Sequence, residues 1–483
     1  MNKNILNNRL TSEIRSTPPP LEGAGGRFVY LIGIGGIGMS ALARYFKAKG
    51  YCVAGYDRVE SELTRQLQRE GMEIHYEDNV ELIPENFRNR EETLVIFTPA
   101  VPESLTELLY FQANGFNVLK RSKALGEVTR MQRAICIAGT HGKTTTSTMT
   151  AHILHNSQVE CNAFLGGISK NFEQNLLLSD KSDLAVIEAD EYDRSFLTLS
   201  PYMAVITSAD PDHLDIYGSE EEYRAGFEKF TSLIQPEGVL LLKKGVDINP
   251  RVQKGVYIFT YAIDDADFCA QNIRVQNGEI IFDFVTPDEV IEDIKLGVPV
   301  MINIENGIAA MTLALLNGAT PDEIREAMAT FAGVKRRFDF HIKQDNLVFL
   351  DDYAHHPQEL KACLESLRIL YRDKKICGIF QPHLYSRTRD FADEFAQSLS
   401  LLDELILLDI YPAREEPIEG VNSQMLLEKA AIEKKRICTA NELKEYIRSN
   451  NFEVLVTIGA GDIELLVPKI KEILLARIKS LKK

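Results

Sequence analysis

Short runs of branched apolar residues recur along the chain, and between them lie stretches whose apolar positions repeat at helical spacing. Residues 28–32 (FVYLI), 51–56 (YCVAGY) and 93–97 (TLVIF) read as strands separated by helical patterns. Continuous rather than alternating apolar runs belong to strands covered on both faces, which predicts parallel sheets built from βαβ units. A second group opens with residues 134–138 (AICIA), includes 184–187 (LAVI) and 204–207 (AVIT), and extends to about Gly333. A third has strands at 347–350, 375–380, 404–408 and 454–458 with helices between them. All three groups read as doubly wound α/β layers. The length agrees, since 483 residues at roughly 150 per domain predict around three domains.

The ends of these runs carry the candidate chemistry. Residues 139–146, GTHGKTTT, lie between the 134–138 strand and a helical stretch marked by Met149, Ile153 and Leu154. A glycine turn joining a strand to a helix N-terminus aims backbone N–H groups at an anion, with Lys143 reaching terminal phosphates and the Thr144 hydroxyl holding magnesium. The spacing is shorter than the usual Walker motif, whose first glycine would fall at Ile137. After the first strand, Gly33, Gly35 and Gly38 form GIGGIG, and Asp57 closes the next strand. That is a dinucleotide fingerprint and admits a nicotinamide oxidoreductase; a UDP moiety, which also presents a diphosphate to a helix N-terminus, satisfies it equally. Residues 188–191, EADE, follow a strand at its carboxyl end, and Asp210, Asp212 and His213 follow the next one. Such oxygen ligands suit magnesium, and a histidine beside them is the more discriminating member. Asp190 and Asp193 read rather as helix caps or solvated charges, and His213 has a surface turn as its alternative.

Composition narrows the partners. A formal net charge of −16 argues against a protein that tracks nucleic-acid phosphates. Seven scattered cysteines without a CxxC pair read as reduced thiols, predicting a cytoplasmic protein. Residues 1–26 are polar with Pro18, Pro19 and Pro20 followed by glycines, and read as a disordered leader with neither a signal peptide nor a membrane span. The expected organisation is thus a Rossmann-like domain over 27–131, a P-loop-type central ATPase domain over 132–335 and a Rossmann-like C-terminal domain over 336–483, with articulation near Gln132 and near residues 333–337.

GTHGKTTT, EADE, the Asp-His after the following strand, NIEN at 303–306, KRRF at 335–338 and DDYAHHP at 351–357 occur in an order that resembles the Mur ligases, ATP-dependent amino acid ligases of peptidoglycan synthesis. GIGGIGMS at 33–40, DDYAHHP and QPHLYSRTRD at 381–390 most resemble the members that join L-alanine to UDP-N-acetylmuramate. The resemblance spans about Phe28 to Asp462. It implies that Gly139, Thr140, His141, Gly142, Lys143, Thr144 and Thr145 bind ATP phosphates, with Asn303 and Asn306 beside the adenine, Arg337 facing phosphate and Asp352 orienting the nucleotide. Thr144, Glu188 and His213 would hold magnesium. Gly33, Gly35, Gly36, Gly38, Met39, Ser40 and Asp57 would hold the UDP-sugar, and Tyr353, His355 and Arg387 the amino acid. Three positions depart from the family pattern: Ile302 stands where a histidine is usual, Ser208 where an asparagine is, and Leu384 where an arginine is common.

The implied reaction follows from elementary chemistry. A carboxylate has no leaving group, so ATP first converts it to an acyl phosphate, a step that needs positioning and charge stabilisation by Lys143 and the loop. The amine of L-alanine then expels phosphate, with His355 either assisting deprotonation or only positioning, as could His356. Arg387 would pair with the alanine carboxylate, its alternative being an ion pair with Asp390 or Glu394. Closure of the central and C-terminal domains is expected to exclude water from the acyl phosphate. The nearest rival within the family attaches a ready-made peptide to the same sugar, and residues 381–389 are the discriminating segment. A monomer or weak homodimer is expected.

Overall fold

A computed structural model describes residues 27–212, 214–276, 278–413 and 415–481. The leader expected over residues 1–26, and His213, lie outside the described residues.

The first sheet contains β1 (Phe28–Ile32), β2 (Cys52–Tyr56), β3 (Glu73–His75), β4 (Thr93–Phe97) and β5 (Asn117–Lys120), ordered β3-β2-β1-β4-β5. Every pairing in it is parallel. The second contains β6 (Arg133–Ala138), β7 (Asn162–Phe164), β8 (Leu176–Leu177), β9 (Leu184–Glu188), β10 (Pro201–Ile206), β11 (Val239–Lys243) and β12 (Tyr257–Tyr261), ordered β12-β11-β10-β6-β9-β7-β8. Only β8 runs against its neighbour. A three-stranded sheet follows, formed by β13 (Cys269–Gln276), β14 (Glu279–Val285) and β15 (Val290–Lys295). The last sheet orders β16 (Asp339–Gln344), β17 (Leu347–Asp352), β18 (Ile376–Phe380), β19 (Glu404–Leu407), β20 (Lys434–Ile437) and β21 (Val454–Ile458) as β16-β17-β21-β18-β19-β20. Its β16 is an antiparallel edge on an otherwise parallel sheet.

In each of the three larger sheets the strand order turns around at one strand, and the crevice beyond its carboxyl end is where open α/β sheets bind ligands. Those strands are β1, β6 and β21. Six helices bear on these ends: α1 (Ile37–Ala48), α2 (Arg121–Arg130), α3 (Lys143–His155), α4 (Ile302–Leu316), α5 (Pro357–Leu370) and α6 (Tyr385–Asp390). The sequence dictates α5 in detail. Pro357 opens it, Glu359 closes a capping box with His356, and Leu360, Cys363, Leu364 and Leu367 repeat on its buried face.

Two compact units result. The first comprises the described residues to Gln271 with Asp283–Asp293 and Glu305–Phe331; the second comprises Asn272–Phe282, Ile294–Ile304 and the chain from Ala332. In the first unit one apolar cluster runs from Val29, Leu31, Met39 and Phe46 to Ala138, Phe164, Ile187 and Phe227, so the first two sheets share a core. Gln132, where articulation was expected, falls inside this unit. The second unit has its own core around Phe349, Ile379, Ile406, Leu455 and Ile470. Among the described residues no helix is long and apolar enough to cross a membrane.

Candidate active site

At the end of β6 the chain turns through Gly139, with φ +137°, and Gly142, with φ +83°, before entering α3. A Cβ on Gly139 would stand 2.1 Å from the Thr207 hydroxyl and one on Gly142 2.8 Å from the Asn306 amide oxygen, so both approaches require glycine. Gly142 is the N-cap of α3 and no side chain caps it, which leaves the helix N-terminus for an anion. The loop is braced from the strand ends beside it. The Thr140 hydroxyl donates to the Asp210 carbonyl at 2.6 Å, and the His141 N–H donates to the hydroxyl of Ser208 at 2.8 Å. Ser208, one of the departures from the family pattern, is therefore a structural member of the loop.

Lys143 folds back on its own turn. Its ammonium donates to the Gly139 carbonyl at 2.5 Å and to Glu191 at 2.8 Å. Burial works against the charge, but Glu191 and then Glu188 outweigh it and hold Lys143 above the ordinary lysine range. Burial likewise pushes the Glu191 carboxyl up against the pull of Lys143. The Thr144 hydroxyl donates to one Glu188 oxygen at 3.0 Å, and the other oxygen accepts from the Gly166 N–H at 3.1 Å. A hydroxyl and a carboxylate so close fit a hard divalent cation that keeps most of its waters. Among the described residues no group of three or more His, Cys, Asp or Glu forms an all-protein cage. Thr145 is half-buried on the first turn of α3.

The glycine turn after β1 is built differently. Gly33 and Ile34 donate to the Tyr56 carbonyl at 2.7 and 3.1 Å, and Gly35 donates to the Asp57 carboxylate at 2.8 Å. Asp57 thus fastens the loop through one oxygen. Gly36 is the N-cap of α1 without a side-chain cap. Met39 and Ser40 are 1% and 0% exposed, so their side chains belong to the core.

In the second unit the ends of β17, β18 and β21 converge. Asp352 accepts from the Phe338 and Ala354 N–H groups at 2.8 and 2.7 Å, and burial raises its carboxyl to about 6 against the pull of Arg337. Arg337 lies over the Tyr353 ring at 5.1 Å and 3.8 Å from Glu359. His355 meets the Tyr353 carbonyl through Nδ1 at 3.0 Å, and burial lowers its pKa below the usual histidine value. Its ring is 5.9 Å from that of His383, which stacks on Tyr411. Arg387, on α6, reaches His383 Nδ1 at 3.5 Å. Asp390, the alternative partner for Arg387, is engaged by Arg389 at 2.7 Å. Tyr353, His355 and Arg387 thus lie in one cluster. Asn303 and Asn306 are both buried on α4, with Asn303 bonded to the Val298 carbonyl and Asn306 to the Thr146 hydroxyl. Ile302 before them is 42% exposed.

Comparison with known proteins ties this arrangement to a family. The UDP-N-acetylmuramate–L-alanine ligase of Parabacteroides distasonis is 61% identical over 452 residues, covering 93% of this chain and 98% of the relative. That of Porphyromonas gingivalis is 54% identical over 449 residues, 92% of this chain and 98% of its own length. The chain belongs to the Mur ligase family. Models of the Mur ligase family catalytic domain, the Mur ligase middle domain and the Mur ligase glutamate ligase domain match residues 28–133, 137–314 and 336–469. The three α/β sheets of this Mur ligase also match solved structures. A UDP-N-acetylmuramate–alanine ligase from Thermotoga maritima superposes with a TM-score of 0.78 at 26% identity, covering 94% of this chain and 99% of that one. A murein peptide ligase from Psychrobacter arcticus gives 0.66 at 20% identity, over 93% and 99% of the two chains, and so shares the fold. In this Mur ligase Glu191 is marked in the sequence only by its place in EADE, and Arg121 carries no local signal.

Proposed function

We propose that this enzyme joins L-alanine to the lactyl carboxylate of UDP-N-acetylmuramate with cleavage of ATP to ADP and phosphate, a step of peptidoglycan precursor synthesis. The observation that carries the reading is the match, along nearly its full length, to ligases named for that pair of substrates. The loop geometry supports the ATP half. Lys143, the N–H groups of the turn after β6 and the N-terminus of α3 provide positive potential where a phosphoryl group would sit, so two anions can approach one another. Thr144 and Glu188, with His213 by family resemblance, would hold Mg2+. When bound, the ion would neutralise charge on the phosphates.

The lactyl carboxylate oxygen attacks the terminal phosphorus and the bond to ADP breaks, leaving an acyl phosphate. The neutral amine of L-alanine then attacks the acyl carbon, the carbon–oxygen bond to phosphate breaks, and an amine proton is given up. His355 suits that last task. Both groups near its Nδ1, the Tyr353 carbonyl and the Glu359 carboxylate, are acceptors, which puts the proton on Nδ1 and a lone pair on Nε2. Arg387 would take the alanine carboxylate through its planar fork. Arg337 and Asp352 would attend the nucleotide, Asn303 and Asn306 its adenine, and residues 33–40 the UDP diphosphate. The enzyme would act in the cytoplasm, as a monomer or weak homodimer organised in domains at 27–131, 132–335 and 336–483.

The test is phosphate release with UDP-N-acetylmuramate and ATP while the acceptor is varied among L-alanine, glycine, L-serine and a peptide. L-alanine should give the highest kcat/KM; discrimination by one or two atoms is worth only about 1 to 3 kcal/mol, so some turnover with glycine or serine is expected. Phosphate release stimulated only by a peptide would replace this reading with that of the recycling ligase. Lys143→Ala should abolish turnover while UDP-sugar binding stays measurable.

A further inference from the structure

We infer that Arg121 binds the diphosphate of the nucleotide-sugar substrate, held in place for it by Asp190; the inference rests on the function proposed above. Arg121 opens α2, directly after β5, at the carboxyl end of the first sheet. Its guanidinium lies against the first turn of α1. A Cβ on Gly38 would be 2.7 Å from Nη1 and 3.3 Å from Cδ of Arg121, so the arginine packs directly on the glycine that ends GIGGIG. Nη2 sits 3.2 Å from Asp190, and the other Asp190 oxygen accepts from the Tyr192 N–H at 3.1 Å. Asp190, read from the sequence as a cap or a solvated charge, therefore braces the turn that follows it and orients Arg121.

The electrostatics of this arrangement point to a ligand. The N-terminus of α1 is the positive end of a twelve-residue helix and has no side-chain cap. A guanidinium beside it is repelled, and Asp190, 38% exposed, compensates only in part. An anion seated on the α1 N-terminus would be shared between the backbone N–H groups and Arg121, converting the repulsion into a clamp of two positive elements. A diphosphate with its spread negative oxygens matches a planar guanidinium better than it matches a point ammonium. Asp190 is also next in sequence to Glu191, which holds Lys143, so the two anion sites of the first unit are joined through adjacent carboxylates.

Binding of UDP and of uridine to the full-length protein, measured by titration calorimetry, tests the assignment. Arg121→Gln should weaken UDP binding by about 10- to 100-fold, the range for losing a charged hydrogen bond, and leave uridine binding unchanged. The KM for UDP-N-acetylmuramate should rise in step while the KM for ATP moves less than about twofold. Arg121→Lys should recover part of the UDP affinity, and Asp190→Asn should weaken UDP binding less than Arg121→Gln does. Wild-type affinity for UDP in Arg121→Gln would overturn the inference, as would equal losses for UDP, uridine and ATP, which would mark a purely structural role. Failure of the wild-type enzyme to release phosphate with L-alanine would instead sink the proposed reaction, so the two failures are distinguishable.

Discussion

His355 carries the clearest residue-level expectation. A base must be neutral, and its lowered pKa keeps it so through the neutral range. The acid limb of kcat/KM for L-alanine should therefore lie below the ordinary histidine range. His355→Gln should cost about 100- to 10,000-fold in kcat and flatten that limb; a variant with an intact limb would reduce His355 to a positioning donor. Glu107, 0% exposed on the helix Thr106–Ala113, illustrates a different burden. It accepts from the Tyr30 hydroxyl at 2.6 Å, and burial lifts its carboxyl from 4.5 to about 7. Because the folded state holds this proton when the unfolded chain has released it, stability is full below pH 4.5 and falls as pH rises to about 7. The loss amounts to about 3 kcal/mol at most. Urea unfolding from pH 4.5 to 8 should show that slope in the wild type and a smaller one in Glu107→Gln. Neither burial was readable beforehand. Tyr30 and His75 join Glu107 only because β1 and β3 share a sheet.

At the scale of elements, the strand-loop-helix unit around residues 139–146 was legible because it is local. A buried strand, two glycines that tolerate positive φ and a helix with small polar residues in its first turns follow one another without any long-range contact. Gly139→Ala should lower stability by about 1 to 3 kcal/mol and raise the KM for ATP, since φ +137° and the Thr207 hydroxyl both oppose a side chain. Thermal unfolding and initial rates check both parts; an unchanged melting temperature would mean that the turn relaxes freely. Three strands without a clear local mark share a cause. β15 (VIEDIK) alternates, with Val290 exposed and Ile291 buried, and β12 carries Tyr257 and Ile258 at 40% and 48% exposure. β16 is an antiparallel edge. Such strands lack the continuous apolar run by which covered parallel strands announce themselves. Glu188, expected just after its strand, is its last residue, a one-position difference that still leaves the carboxylate at the sheet's carboxyl end.

For the whole molecule, the decisive fact is that the first two sheets form one unit. Asn175 bonds the Ile37 carbonyl at 2.5 Å and the Ser40 hydroxyl at 3.1 Å while accepting from Arg44 at 2.8 Å, so a loop of the second sheet is fastened to the helix that follows β1. Asn175→Ala should cost about 1 to 3 kcal/mol, and hydrogen exchange should show amides of β1 and β6 losing protection together. Loss confined to one sheet would mean that their common core is not a cooperative unit. The α/β class, the covered strands, the glycine turns at their ends and the order of motifs that marks a Mur ligase can all be read along the chain. All of these are written in local periodicity and in residues close together along the chain. Folding in three dimensions settles which carboxylate holds Lys143, that Met39 and Ser40 turn inward, that Asp57 fastens a loop, and that Arg121 lies against Gly38 beside Asp190. Those pairings join residues tens of positions apart. They depend on strand order and on how neighbouring elements pack, neither of which local periodicity encodes.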